Sequence, residues 1–142
     1  MTTAQALETA IAAYLADVPE LLDLTIYQHL ASDDDPMQRP ALIVSVQDAT
    51  EDEWMRGIYT GVIRCQIEAH AQGSLSAEDL RAIKGALLEA LRCELELERF
   101  VSQYAQPWTP LRLRYAAAID LGVTEQDGTW VVPVDLQFIA HR

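Results

Sequence analysis

The stretch Ile58-Tyr59-Thr60-Gly61-Val62-Ile63-Arg64-Cys65-Gln66-Ile67-Glu68-Ala69-His70-Ala71 decides how this chain is read. Tyr59, Ile63, Cys65, Ile67 and Ala69 share one parity, while Thr60, Arg64, Gln66, Glu68 and His70 share the other. Successive side chains of a strand leave on opposite faces, so the run predicts a long strand with one face on a core and one toward water. A core on one side of a sheet requires a partner layer, and the flanking sequence supplies it.

On the C-terminal side, Ser76 begins a helix with Glu78 and Asp79 in its first turn, where the backbone N–H groups favour negative charge. Leu80, Ile83, Leu87, Leu88 and Leu91 form its apolar stripe. The next segment, Glu94 to Tyr104, reads two ways: Leu95, Leu97 and Val101 fit a strand, and the Glu-rich composition fits a continued or second helix. Beyond Pro107 and Pro110, Leu113, Tyr115, Ala117, Ile119 and Leu121 alternate with polar or small residues. Asp127-Gly128 is a turn signal, and Trp130, Val132, Val134, Leu136 and Phe138 alternate after it, so the two runs predict an antiparallel hairpin. Pro133 has no N–H to give a ladder, which places the last strand at an edge or turns that position outward.

On the N-terminal side, Ala41 to Gln47 is a β-rich run with Leu42, Val44 and Val46 on one face. Two acidic loops border it. Ser32 to Arg39 holds Asp33, Asp34 and Asp35 followed by Pro36, and Asp48 to Arg56 holds Glu51, Asp52, Glu53, Trp54 and Met55. Glu20 to Leu30 can open as a helical turn and predicts a strand near Leu24 to His29. Thr2 and Gln5 have capping-box spacing, and Leu7, Ala10, Ile11, Tyr14 and Leu15 give a helix from Thr3 to Ala16, stopped before Pro19. The expectation is one α+β domain over residues 1–142. It has a mostly antiparallel sheet, two main helices packed on one face, and the order α-β-β-β-α-β-β.

Composition narrows the function. The chain has 142 residues, half of them hydrophobic, and a net charge of −12 from 22 acidic and 10 basic residues. Its sole lysine is Lys84, and no cluster of basic residues exists to displace counterions from a nucleic-acid backbone, so specific DNA or RNA binding is not expected. No signal-peptide pattern and no apolar run of membrane-spanning length is visible. Cys65 and Cys93 sit among apolar neighbours and read as two buried thiols.

The residues that chemistry would need are scattered. His29, His70 and His141 fall in different predicted elements without metal-ligand spacing. Asp33 to Asp35 lack the glycine and the spacing of a calcium loop. Nucleophile-elbow and phosphate-loop motifs are missing. Glu68 and His70 share a strand face and read as a solvated pair or part of an interface. The sequence therefore predicts no catalytic residue, no metal and no cofactor. It points instead to protein contacts, with Asp33, Asp34, Asp35, Glu51, Asp52, Glu53, Trp54 and Met55 as the candidate interface. Tryptophan concentrates at interface hot spots, which singles out Trp54 in its acidic loop, whereas Trp130 on an apolar strand face reads as core.

The ordered series of elements resembles the small tail terminator, or tail-completion, proteins of long-tailed bacteriophages and prophages. The similarity runs from the apolar N-terminal helix through Ile26-Tyr27, the Pro40-Ala41-Leu42-Ile43-Val44 strand and the long strand ending at Glu68-Ala69-His70-Ala71. It continues into the Ser76-Ala77-Glu78-Asp79 helix start and the closing Val134-Asp135-Leu136-Gln137-Phe138 strand. The resemblance implies a non-enzymatic virion protein, assembled in the host bacterial cytoplasm as a homo-oligomeric ring, usually a hexamer. Such a ring caps the tail tube, touches the tail tube protein and a head-completion protein, and lets DNA pass through its lumen. Two alternatives stay open: a cytosolic regulatory adaptor or inhibitor with an acidic binding surface, and a small ligand-binding domain or enzyme using Arg64, Glu68 and His70.

Overall fold

The strand read from residues 58–71 is present in a computed structural model of the protein, which describes residues 3–28, 38–51, 55–104, 109–115 and 124–141. The elements run α1 (Thr3–Ala16), β1 (Thr25–Gln28), β2 (Ala41–Glu51), β3 (Ile58–His70), α2 (Ala77–Arg92), α3 (Glu94–Tyr104), β4 (Thr109–Tyr115), β5 (Thr124–Gln126) and β6 (Thr129–His141), with one short 3-10 turn at Pro19–Leu21. The class is α+β, as expected from the sequence. The strands form one sheet in the order β1-β2-β3-β6-β4, with β5 also paired to β6. β1 runs parallel to β2, and every other described pairing is antiparallel.

All three helices bury their apolar stripes in one core. Leu7, Ile11 and Leu15 of α1, Leu80, Leu87 and Leu91 of α2, and Leu97 and Val101 of α3 cluster with Leu42, Ile63, Cys65, Ile67, Val134 and Leu136 of the sheet. Each fully buried aliphatic side chain contributes about 1.5–3 kcal/mol of transfer free energy, so this layer is the main source of stability. The helix face of β3 matches the parity read from its sequence. No helix among the described residues is long and apolar enough to cross a membrane.

The ambiguous segment Glu94 to Tyr104 is helical. α2 ends at Cys93, whose ψ of 61° leaves the helical region, and α3 starts at the next residue, with Leu97 N–H donating to Cys93 O at 3.0 Å. Leu97 and Val101, one helical turn apart, are buried, whereas Leu95 is 79% exposed and does not share their face. A strand reading would have put Leu95 and Leu97 on one buried face.

Three expectations are corrected. β2 continues to Glu51 across a register shift between Gln47 and Thr50, so the second acidic segment starts later than Asp48. Cys93 is exposed, and only Cys65 is a buried thiol. The closing strand is not an edge strand, so of the two placements read for Pro133 only the outward-turned one remains: β6 lies between β3 on one side and β4 and β5 on the other. Pro133 is accommodated there by parity. Gly128 O accepts from Ala71 N–H at 2.9 Å, so the even-numbered backbone groups of β6 face β3 and the odd ones face away. Pro133 is odd, and it falls between Val131, paired to β5, and Leu136, paired to β4, where no described residue needs its N–H.

Candidate functional site

The sheet face opposite the helices carries the side chains that the core excludes. On β3 these are Arg64, Gln66 and Glu68, and the register sets Arg64 opposite Ser45 and Asp135, Gln66 opposite Ile43 and Pro133, and Glu68 opposite Ala41 and Val131. Arg64 donates to Asp135 through Nε–Oδ1 at 2.8 Å and through Nη2–Oδ2 at 3.1 Å, a bidentate fork across two neighbouring strands. The hydrogen bond to Asp135 raises the Arg64 pKa above that of a free guanidinium, more than partial burial lowers it. Arg64 is therefore a fixed cation.

A second network lies one pleat along. Arg39, just before β2, donates from Nη2 to Glu68 Oε1 at 3.2 Å, and Gln66 Nε2 donates to Glu68 Oε2 at 3.1 Å. Gln38 N–H donates to the Tyr27 hydroxyl at 2.9 Å, which ties this segment to β1. Glu68 is thus buried and ion-paired, not solvated beside His70 as its sequence spacing implied. Each of its oxygens accepts one of these two hydrogen bonds. His70 itself is exposed and lines two shallow hollows. One, of about 240 Å³, is bounded by Arg39, Gly73 and Leu75. The other, of about 470 Å³, is bounded by Gln72, Glu125 and Gly128. Among the described residues no group of three His, Cys, Asp or Glu side chains is placed to hold a metal ion.

The candidate interface is only partly within the described residues. Asp33, Asp34, Asp35, Asp52, Glu53 and Trp54 lie outside them, as do His29 and Trp108. Glu51 closes the neck of the β2–β3 hairpin by accepting from Gly57 N–H at 3.0 Å, with Gly57 at φ 81°. Met55 is 59% exposed at the same hairpin, and its carbonyl accepts from Ile58 N–H at 3.2 Å. Glu51 and Met55 are therefore brought together at one end of the sheet. Trp130 is half-buried against the core, in line with its core reading.

Arg39 and Asp135 are the site residues that sequence reasoning missed. Asp135 occupies an outward position in the alternation of the closing strand, and Arg64 an outward position in the central one. Opposite charges on outward faces were the available signal, but only the register makes them partners. No family model matches the chain, and a search of curated proteins finds no match either.

Proposed function

We propose that this chain is a structural virion protein that forms a homo-oligomeric ring at the end of a phage or prophage tail tube and offers the surface to which the head docks. The observation that supports this reading most is architectural. α1, β1 with Ile26 and Tyr27, β2 following Pro40, β3, the Ser76-capped α2 and the closing β6 occur in the order on which the resemblance rests, and they build a single sheet with helices on one face.

Ring contacts on this reading use the sheet edges. Among the described residues β1 and β4 end the strand order, so there they present edge backbone on opposite sides of the sheet. A head-to-tail contact between one subunit's β1 side and the next subunit's β4 side closes into a ring when its rotation permits. The closing strand cannot serve, being interior. The Met55 hairpin remains available for contact with the tail tube protein or a head-completion protein. Six copies would carry roughly −72 before counterions, a charge that repels DNA phosphates and lets a genome slide through a lumen.

The test is to mix the purified protein with tail tubes over a salt series, image the tube ends by electron microscopy and measure solution mass. Terminal rings are expected, favoured by salt that screens repulsion between acidic subunits. Bare tube ends together with a monomer at every salt and protein concentration would reject the reading.

A further inference from the structure

The helical layer carries a groove that neither the ring reading nor the polar sheet face uses. It lies where the C-terminal end of α1 and the Pro19–Leu21 turn meet α2 and α3, with a volume of about 460 Å³. Its floor is aromatic and small: Tyr14 and Phe100 meet edge to face with ring centroids 5.6 Å apart, and Ala86 and Ala90 leave room beside them. The Tyr14 hydroxyl donates to Ala90 O at 3.0 Å, which fixes the ring against α2. Phe100 also stacks on Tyr104, which is 52% exposed and extends the aromatic surface along α3.

The rim has one sign of charge. Asp17, Glu20, Glu89 and Glu96 line the groove, and among the described residues no Lys or Arg does. All four are exposed. The Tyr14 pKa is raised, by burial first and then by the charges of Cys93 and Glu96 when they are ionised. Aromatic faces ringed by carboxylates attract ammonium and guanidinium groups through the ring quadrupole and through charge together.

We infer that this groove between α1, α2 and α3 is a docking site for a basic amphipathic segment of a partner protein, one that sets an apolar side chain on Tyr14 and Phe100 and Arg or Lys side chains against the four carboxylates. A second copy of this chain is a poor occupant, because it brings a further −12 of net charge. The inference does not depend on the ring reading, since the groove belongs to the isolated subunit.

Cys93 lines the groove and is exposed, whereas Cys65 is fully buried, so a thiol-reactive dye reports on the groove alone. The probe is a synthetic Leu/Arg amphipathic peptide of about four helical turns, titrated by fluorescence anisotropy while the rate of Cys93 labelling is followed. Binding is expected to slow labelling. Glu89→Gln with Glu96→Gln should weaken binding about fivefold, whereas Glu78→Gln with Glu125→Gln, which removes the same charge elsewhere, should leave it within about twofold. Ala86→Phe fills the floor without touching charge and should weaken binding as well. The proposal is overturned if a Lys-only peptide binds as tightly, if both charge-neutralised pairs lose equally, if Cys93 is not protected, or if the chain covers Cys93 by self-association without peptide.

Discussion

Arg64 and Asp135 stand directly opposite each other on β3 and β6, joined by two hydrogen bonds of 2.8 and 3.1 Å, with the Asp135 side chain only 5% exposed and that of Arg64 36% exposed. The asymmetry in burial fixes what substitution does. Arg64→Ala leaves a buried carboxylate without its cation and should cost about 1.5–3 kcal/mol, below the figure for a fully buried pair because water reaches the arginine. Arg64→Leu with Asp135→Leu should recover much of that loss, since neither charge is then stranded. Urea unfolding of the single and double variants measures both, and additive losses would show that the pair is uncoupled. The Arg64 pKa is raised, so its contribution is complete below the unfolded value and is lost only as pH rises through the folded one, at strongly alkaline pH.

The α2 capping box gives the acid-side counterpart. Asp79 N–H donates to Ser76 Oγ at 3.2 Å, and Ser76 N–H donates to Asp79 Oδ2 at 2.9 Å. The backbone hydrogen bond from Ser76, and then the side-chain one, hold the Asp79 carboxyl below its ordinary 3.8. A lowered carboxyl contributes above its unfolded pKa and loses that contribution as pH falls through the folded one. Ser76→Ala should cost about 1 kcal/mol at neutral pH. Asp79→Asn should flatten the stability profile below about pH 4, read from thermal melts across an acid series.

The two thiols should separate kinetically. Burial pushes Cys65 from 9.0 up to about 12, while Cys93 is exposed at the α2–α3 junction. Ellman's reagent should titrate one thiol in the native protein and two in guanidinium chloride. Because the folded Cys65 keeps its proton when the unfolded thiol has lost it, stability should fall as pH rises from 9.0 toward about 12. Cys65→Ser should remove that alkaline slope.

Asp127 and Gly128 link β5 to β6 with φ values of 50° and 75°. A Cβ at Gly128 would meet nothing within 4 Å, so the cost of Gly128→Ala is conformational and not steric. We expect a loss of about 1 kcal/mol by chemical denaturation, with Gly128→Asn costing less because Asn tolerates positive φ. Equal stability of all three proteins would mean that the turn relaxes to another type.

Elements whose signal is local were legible. The α1 span Thr3–Ala16, the alternation of β3, the Ser76 start of α2 and the Asp127-Gly128 turn each depend on neighbours within a few residues. Glu94 to Tyr104 was not, because Leu95, Leu97 and Val101 satisfy both periods until packing shows that Leu97 and Val101 are buried and Leu95 is not. Of the candidate interface, Glu51 and Met55 meet at one hairpin, with Glu51 committed to Gly57 N–H.

By itself the sequence determined the α+β class, the order and inward faces of the elements outside the Glu94 to Tyr104 segment, and an acidic chain without a basic cluster, because periodicity and charge are properties of short stretches. The tertiary structure alone decided that β6 lies inside the sheet, that Arg64 meets Asp135 and Arg39 meets Glu68, and that Tyr14, Phe100 and four carboxylates share one groove. Those facts depend on strand order, register and helix packing, which bring together residues far apart along the chain, 71 positions in the Arg64–Asp135 pair and 76 between Tyr14 and Ala90. No local pattern encodes such a distance, since alternation says which side of a sheet a residue takes and not which strand stands beside it.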